Sequence, residues 1–291
     1  MKKLDDIEIL RTVAEYRVLT VEQLAELLFA SAQMARRRLR EMGSRSLIAR
    51  SAGRISGLRG RPQALVWLGA EGRMQLKATA NVSVDPKKLE QPGLVEHQIL
   101  CNWFRILLLR RETNFPVLTT SFISSSSPFS VDEQGNSLLR NSVPVKPRDS
   151  LEQLFIPDGA FTLVSQHHHK GLLFFLEVDL GTEALANGKG TDVRQKLINY
   201  RTFLGTKRYK RYETLLKASF RGFRLLFLTH STQRRSQLCR LVRELAPLDF
   251  IWVGDQARMF EEGLAGNIWA VGGRDHEPPQ SILGSMAAVK S

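Results

Sequence analysis

Two carboxylate side chains, Glu177 and Asp179, follow an apolar run in the second half of the sequence. The run, Leu172–Leu176, predicts a buried strand. Because side chains alternate along a strand, Glu177 and Asp179 share one face of it. Buried carboxylates are costly unless they reach the strand end, find partners or bind a cation. Together with Asp158, predicted on the preceding strand, they form a set of oxygen ligands suited to Mg²⁺.

A second set of chemically active side chains lies near the start of the chain, on a helix predicted to follow a turn near Phe29–Ser31 and to run to about Met42. Apolar residues at helical spacing form one side of this helix, and the other side carries Gln33, Arg36, Arg37 and Arg40, which we call the basic stripe. Arginine pairs bidentately with guanine or phosphate, and glutamine pairs with adenine, so the stripe suits the major groove of DNA. The alternative is a merely solvated helix face.

The elements around this helix predict a winged helix-turn-helix over residues 1–80. Asp6 can cap a first helix that ends near Arg17, and Thr20 opens a second helix with a capping box. A strand at Leu47–Arg50, a tip at Ser51–Gln63 and a return strand at Ala64–Leu68 form the wing. The wing residues predicted to contact DNA are Arg54, Arg59 and Arg61. A protein-binding winged helix is the alternative interpretation.

Charge supports a nucleic-acid partner. The 291 residues carry a net charge of +13, and the stretch from Ser31 to Arg61 alone contains nine basic residues and one acid, a net charge of +8. Such an excess favours a polyanion through counterion release, and we expect double-stranded DNA. The apolar runs are too short or too interrupted to cross a membrane, so we expect no membrane partner. The first residues include Asp5 and Asp6 where an export signal would have an apolar core, so we expect a cytoplasmic protein. The sequence leaves open whether it forms a homodimer.

The remainder of the chain predicts a linker at 81–93, a mixed α/β domain at 94–275 and a disordered tail at 276–291. Residues from about 124 to 150 are rich in serine, proline and asparagine and predict a flexible excursion within that domain. We expect His97 to be a hydrogen-bonded structural residue and His167–His169 to form a solvated turn. Strands are predicted at Val117–Ile123, Leu154–Val164, Leu172–Leu180, Phe223–Thr229 and Phe250–Val253, with helices at Leu94–Arg111, before Lys207 and at Gln233–Leu245.

A run of basic residues in the same domain is normally a solvated surface. In a protein that binds DNA with its other end, it also predicts a second phosphate track. The run consists of Lys207, Arg208, Lys210, Arg211, Lys217, Arg221 and Arg224.

The order of elements from about Leu94 to Val253, with Pro157-Asp158 and then Glu177-Val178-Asp179, resembles the PD-(D/E)xK nuclease fold. The resemblance implies Mg²⁺ bound by Asp158, Glu177 and Asp179. The family usually has lysine two residues after the glutamate, where it steadies the attacking water, and this chain has Asp179 instead. Because the lysine sometimes migrates in that family, the resemblance implies that Lys196, on the following helix, takes its place. The implied catalytic residues are Asp158, Glu177, Asp179 and Lys196.

Nearly the whole chain also resembles the replication-relaxation family of plasmid and mobile-element proteins. The matching features are the predicted winged helix, Leu68–Gly72 after it, His97 opening the next helix, Ile156–Gly159, Leu176–Glu183 and a late strand-helix-strand that ends near Trp269. The resemblance implies DNA binding in plasmid maintenance or relaxation.

The sequence therefore leaves two main functions open. The first is a DNA-binding regulator or replication accessory factor whose nuclease-like second domain is a scaffold. The second is an Mg²⁺-dependent DNA endonuclease that hydrolyses phosphodiester bonds. Aspartate in place of the expected lysine favours the first, and the charge of the wing disfavours a third possibility, a pure protein-interaction module.

Overall fold

The structure is a computed structural model that describes residues 5–55, 63–80, 82–84, 92–110, 118–145, 151–165, 171–187 and 192–284. The chain is mixed α/β and divides into two compact units. The first unit comprises Met1–Ile106 with Ser126–Asn136, and the second comprises Leu107–Ser125 with Ser137–Ser291. This division assigns most of the helix beginning at Pro92 to the first unit, whereas the sequence predicted that the second domain begins with that helix.

The first unit has helices at its start and end and a small antiparallel sheet. In the described residues this sheet has the strand order β1-β3-β2. The elements are α1 (Asp6–Tyr16), β1 (Leu19–Thr20), α2 (Val21–Leu28), α3 (Ala32–Ser44), β2 (Ile48–Ile55), β3 (Gln63–Leu68), α4 (Ala70–Ala80) and α5 (Pro92–Leu109), of which the last enters the second unit at Leu107.

The predicted helices and strands of the first unit form, together with the unpredicted strand β1. Strand β2 continues to Ile55, past the predicted end at Arg50, and helix α4 was not predicted. The central part of the predicted wing tip, residues 56–62 with Arg59 and Arg61, lies outside the described residues. The backbone of Arg54 pairs with Ala64 across the sheet.

Local hydrogen bonds explain where the helices of the first unit begin. The Thr20 hydroxyl accepts from the Gln23 backbone N–H, and the Gln23 side chain accepts from the Thr20 N–H, which completes the predicted capping box. Ser31 caps α3 through the N–H of Met34. The predicted cap at Asp6 is wrong, because Asp6 is the first helical residue and its carboxylate bonds the guanidinium groups of Arg38 and Arg45.

Helix α5 is attached to the first unit by buried polar contacts as well as by its apolar face. The Asn102 side-chain amide donates to the carbonyls of Tyr16 (3.1 Å) and Val18 (2.6 Å), and the Gln23 amide donates to the Ile99 carbonyl (2.8 Å). These bonds give the buried side-chain amides of Asn102 and Gln23 hydrogen-bond acceptors. They account for the placement of α5 with residues more than 70 positions earlier.

The second unit is built on a mixed sheet with the strand order β11-β10-β9-β8-β7-β4 in the described residues, and it has a separate β5-β6 hairpin. Strands β8, β9 and β10 are parallel, and the other pairs of the large sheet are antiparallel. The elements are β4 (Leu118–Ser124), β5 (Asn141–Pro144), β6 (Glu152–Phe155), β7 (Gly159–Ser165), β8 (Gly171–Asp179), α6 (Val193–Gly205), a 3₁₀ helix (Arg208–Arg211), α7 (Tyr212–Leu216), β9 (Phe223–Thr229), α8 (Thr232–Glu244), β10 (Ile251–Asp255), α9 (Gln256–Glu262) and β11 (Ala270–Val271).

Three predictions for the second unit need correction. The predicted excursion contains strand β5, which pairs with β6 across a connection that includes residues 146–150, outside the described part. The single strand predicted at Leu154–Val164 is two strands, with Asp158 in the connection between them. Residues 276–284 of the predicted disordered tail are ordered, since Gln280 pairs with Trp269 and Ile282 is fully buried.

The core of the second unit lies between one face of the large sheet and helices α6 and α8. Leu173 and Phe175 of β8 pack there with Leu197 of α6 and Leu238 of α8. Glu177 and Asp179 follow Phe175 at alternating positions, so the sheet presents them on the face that these helices cover. In the described part of the chain, no helix is both long enough and apolar enough to cross a membrane.

Candidate functional site

The carboxyl end of β8 brings together Asp158, Glu177, Lys196 and Glu183, which we call the carboxylate–lysine site. Asp158 is fixed beside β8 because its backbone N–H donates to the Leu176 carbonyl (3.0 Å). Its carboxylate oxygen accepts from the Val178 N–H at 2.8 Å. Asp158 therefore flanks Glu177 on the neighbouring chain segment, as predicted, although it lies in a connection rather than within a strand.

Glu177 is buried and held by two side chains of α6. The Tyr200 hydroxyl donates to Oε1 at 2.6 Å, and the Lys196 ammonium lies 3.5 Å from Oε2. The same ammonium lies 2.9 Å from the carboxylate of Glu183, in the loop after β8. Lys196 is thus bound between two carboxylates.

Burial dominates the electrostatics of this site. It raises the pKa of Glu177 from 4.5 to about 7, against the opposing charge of Lys196 and with a further increase from Asp158. Burial alone would lower the pKa of Lys196, but the charges of Glu177 and Glu183 outweigh it and raise that pKa. Burial, followed by the Glu177 charge, raises the pKa of Tyr200, which remains a hydrogen-bond donor.

We predict that Glu177→Gln stabilises the protein at alkaline pH. A raised carboxyl pKa means that the unfolded state loses its proton first, so stability falls as pH rises from 4.5 to about 7. Glutamine removes this loss and still accepts from Tyr200. The expected gain above that window is at most about 3 kcal/mol, with little gain at acidic pH.

Urea unfolding at acidic and alkaline pH measures this difference. Glu244→Gln is the matched control, because Glu244 is half exposed and its only described ion pair, with Arg194, is also exposed. Parallel stability–pH curves for the wild-type protein and Glu177→Gln would contradict the assignment of a buried, proton-binding carboxyl group.

Asp179 has a different environment from the one predicted. Its Oδ2 atom accepts from Arg234 Nε of α8 at 2.8 Å, in an ion pair whose side chains are 10% and 6% exposed. Its Oδ1 atom accepts from the N–H of Gly181, whose φ of 79° is one that glycine adopts readily. Arg234 also donates to the Glu183 carbonyl at 2.6 Å. Asp179 therefore anchors α8 and the loop after β8.

The residues fit a divalent cation only in part. Among the described residues, Asp158, Glu177 and Asp179 do not form a group whose ligand atoms all lie within 4.8 Å of one another. Asp179 is bound by Arg234, so of the three predicted metal ligands Asp158 and Glu177 remain to be considered. Magnesium is often bound by one or two protein carboxylates together with water and substrate phosphates, so this pair is compatible with Mg²⁺.

Three residues of this site were missed by the sequence interpretation: Tyr200, Glu183 and Arg234. Tyr200 lies four residues after Lys196, a spacing that places both side chains on one helix face and could have indicated the pair. Glu183 is the last residue of the Leu176–Glu183 motif, and it lies after the end of the strand predicted at Leu172–Leu180. No local pattern indicates Arg234, because it is 55 residues from Asp179.

The first unit carries the basic stripe on α3. All four of its residues, Gln33, Arg36, Arg37 and Arg40, are exposed, while Ala35, Leu39 and Met42 of the same helix are buried. In the described part of the chain, none of the three stripe arginines forms an ion pair. Arg38 and Arg45, by contrast, both pair with Asp6, at 2.5 and 2.8 Å. The helix thus uses some arginines for internal pairing and leaves the stripe available to an external anion.

Two arginines of the basic run in the second unit bind other groups of the protein. Of the basic run, Arg208 pairs with Glu152, and Arg211 donates to the Leu138 carbonyl and the Asn141 side chain. Because these two arginines bind groups within the protein, fewer residues of the basic run are left to bind phosphates.

His97 lies on α5 with its Nδ1 atom 3.7 Å from Cys101 Sγ. The three histidines at 167–169 lie outside the described residues.

Comparison with protein-family models matches residues 10–217, well over half of the chain, to a family described as replication-relaxation. The matched range includes α3 and the carboxylate–lysine site and ends before β9. Comparisons with curated proteins and with solved structures found no match.

Proposed function

The chain belongs to the replication-relaxation family, and we propose that it is a double-stranded-DNA-binding protein of a plasmid or mobile element. It acts in replication or relaxation of that element, or in control of its transcription. The first unit binds the duplex as a winged helix-turn-helix with α3 as the recognition helix. The second unit is nuclease-like, with the carboxylate–lysine site as its remnant or active centre.

The observation that carries this proposal is the exposed basic stripe of α3, whose arginines form no ion pair within the described residues. Its residues lie at positions 33, 36, 37 and 40, on the side of the helix opposite the buried Ala35 and Leu39. The order of helices and strands from α1 to β3 supports the proposal of a winged helix, in which the helix before the wing would enter the major groove. The neighbouring Arg38 and Arg45 are neutralised by Asp6, whereas the stripe arginines keep their charge unpaired by any described acid.

Binding of the full-length chain to a fluorescein-labelled duplex, followed by anisotropy over a series of salt concentrations, tests the proposal. Each phosphate neutralised should steepen the log–log salt dependence of affinity by about 0.9. We expect the stripe and the wing together to give a log–log salt dependence with a slope of about −3 or steeper. An affinity that is undetectable at low salt would favour the protein-binding alternative.

Arg54, Arg59 and Arg61 of the predicted wing should contribute affinity without sequence preference. We predict that alanine at all three positions weakens binding to every duplex by a similar factor, because a glycine- and arginine-rich tip meets backbone or minor groove more readily than base edges. Competition between a selected and a scrambled duplex measures this. A loss confined to the selected duplex would mean that the wing reads bases.

A metal-dependent endonuclease is the second candidate, favoured by the contacts of Lys196 with Glu177 and Glu183. Asp158 and Glu177 would hold Mg²⁺, which supplies an activated water and charge stabilisation for phosphodiester hydrolysis. Tyr200 orients the Glu177 carboxylate, and Lys196 provides a positive charge that can approach a phosphate. Asp179 takes no part in this chemistry, because Arg234 occupies it.

Supercoiled plasmid incubated with the protein and Mg²⁺ or Mn²⁺ distinguishes an enzyme from a scaffold. If the site is active, nicked product accumulates with the wild-type chain and is lost with Glu177→Ala and with Lys196→Met. The control Glu244→Gln leaves nicking unchanged, because Glu244 lies on the surface of α8. Equal nicking by all four proteins would indicate a contaminant, and no nicking would leave the second unit as a scaffold.

A further inference from the structure

A cavity of about 750 Å³ lies in the second unit, at the amino ends of β8 and β9. Its lining includes Leu172, Lys210, Glu213, Phe220, Arg221 and Arg224. Because β8 and β9 are parallel, this cavity is at the opposite end of both strands from Glu177. Its volume falls in the range of small-molecule sites, about 300–1,000 Å³.

The charges around this cavity favour an anion. Glu213, the one carboxylate among the described lining residues, accepts from the Phe220 backbone N–H at 2.8 Å and so fixes the loop before β9. Arg224 is stacked on Trp252 and donates to the Ile282 carbonyl. Lys210 and Arg221 are exposed, and in the described residues neither has an ion pair or a side-chain hydrogen bond. Two cations therefore remain available at the rim.

Part of the cavity wall is apolar. Leu172 and Leu173 of β8 line it together with Phe220 and Phe223. Gly171 allows close packing in this wall, since a Cβ atom there would lie 2.9 Å from the Phe220 ring. A ligand that matches both features has a phosphate at the cationic rim and a flat, weakly polar body against the apolar wall.

We propose that this cavity binds an unpaired nucleotide of a DNA strand, with its phosphates at Lys210 and Arg221 and its base against the apolar wall. A duplex keeps its bases stacked inside and presents convex backbone, so it cannot fill a concave apolar pocket. Proteins that hold single strands combine cationic grooves with apolar or aromatic contacts to exposed bases. The inference rests on the proposed function in that it assumes DNA as the partner, but it assigns a separate strand contact to the second unit.

Anisotropy of a fluorescein-labelled oligothymidine with the full-length chain tests this site. Lys210→Gln with Arg221→Gln should weaken its binding by about tenfold or more and flatten the salt dependence by about 0.7 for each phosphate that is no longer neutralised. Lys207→Gln with Lys217→Gln is the matched control, because both lysines are exposed, belong to the same basic run and do not line the cavity. It should change affinity less than about threefold.

Ser219→Trp provides an independent variant, because Ser219 is an exposed residue of the lining whose enlargement should obstruct the cavity. It should weaken oligothymidine binding without removing any charge. Equal effects of the cavity and control pairs, or no effect of Ser219→Trp, would overturn the inference. Competition by free thymidine monophosphate as strong as by the oligothymidine would also overturn it, since that result assigns the site to a soluble nucleotide.

Duplex binding by α3 and oligothymidine binding by the cavity can be tested independently of each other. Arg36→Ala with Arg40→Ala should weaken duplex binding and leave oligothymidine binding unchanged, whereas the cavity variants should do the reverse. If Arg36→Ala with Arg40→Ala does not weaken duplex binding, the function proposed for α3 is contradicted. If the cavity variants do not weaken oligothymidine binding, the cavity assignment is contradicted.

Discussion

Replacing Arg36 and Arg40 together by alanine is expected to lower the affinity for duplex DNA by at least about 30-fold. Both side chains are exposed on α3 and lack an ion pair within the described residues. An arginine that reads guanine bidentately contributes about 1–3 kcal/mol, and removing an arginine that neutralises a phosphate reduces the salt slope by about one. Because alanine favours helix and neither arginine is buried, the unfolding midpoint should not fall.

A pair of exposed cations on other elements, Lys77→Ala with Arg240→Ala, removes the same total charge and is the matched control. It should lower duplex affinity less than about threefold, because long-range charge alone is screened by salt. Equal losses for the two pairs would show that net charge, and not the α3 surface, governs binding. An unchanged affinity and salt slope for Arg36→Ala with Arg40→Ala would reject α3 as the recognition helix.

Arg234→Ala is expected to destabilise the protein by about 3–5 kcal/mol, the largest stability effect we predict. The substitution leaves the carboxylate of Asp179 buried without its cation, and it removes the hydrogen bond from Arg234 to the Glu183 carbonyl. Removing one partner of a buried ion pair costs more than the pair contributes, because the remaining charge is desolvated and uncompensated. Urea unfolding at neutral pH measures the loss.

Arg194→Ala breaks the ion pair with Glu244, whose side chains are 37% and 50% exposed, and is the control for a surface pair. It should cost less than about 1 kcal/mol. Arg234→Met combined with Asp179→Asn should recover part of the stability lost in Arg234→Ala, since no charge is then left buried. Similar small losses for Arg234→Ala and Arg194→Ala would mean that Asp179 is not a structural anchor.

The basic stripe of α3 could be predicted from the sequence because its evidence is local. Apolar residues at Ala35, Leu39 and Met42 fix which side of the helix is buried, and helical geometry then determines which residues are exposed. The capping box at Thr20 is equally local, since its two partners are three residues apart. Both features depend on backbone periodicity and not on the tertiary fold.

The role of Asp179 could not be predicted in this way. Strand alternation correctly placed it on the same face as Glu177, but alternation does not identify the partner that packs against that face. The partner, Arg234, comes from a helix that follows the next strand of the sheet and belongs to a sequence segment with other arginines nearby. Asp179, two residues after Glu177, makes this anchoring contact.

Low apolar periodicity also misled the prediction for residues 124–150 and for the tail. Strand β5 is short and alternates buried with half-buried residues, and its stability comes from pairing with β6 and from packing of Leu139 and Val143 in the core. Residues 276–284 are held by contacts such as that of the Ser281 hydroxyl with the Ala265 carbonyl. Tertiary contacts order both segments despite weak local propensity.

Photo-crosslinking from the surface of α3 tests the central claim most directly. Cys101 and Cys239 are buried, so a cysteine introduced at the exposed position of Gln33 can be labelled selectively with a benzophenone maleimide. Glu8→Cys, on an exposed acidic position of α1, is the matched site. With a bound duplex, irradiation should crosslink DNA from position 33 and not from position 8. Crosslinking from position 8 alone, or from neither site while the duplex remains bound, would contradict recognition of DNA by α3.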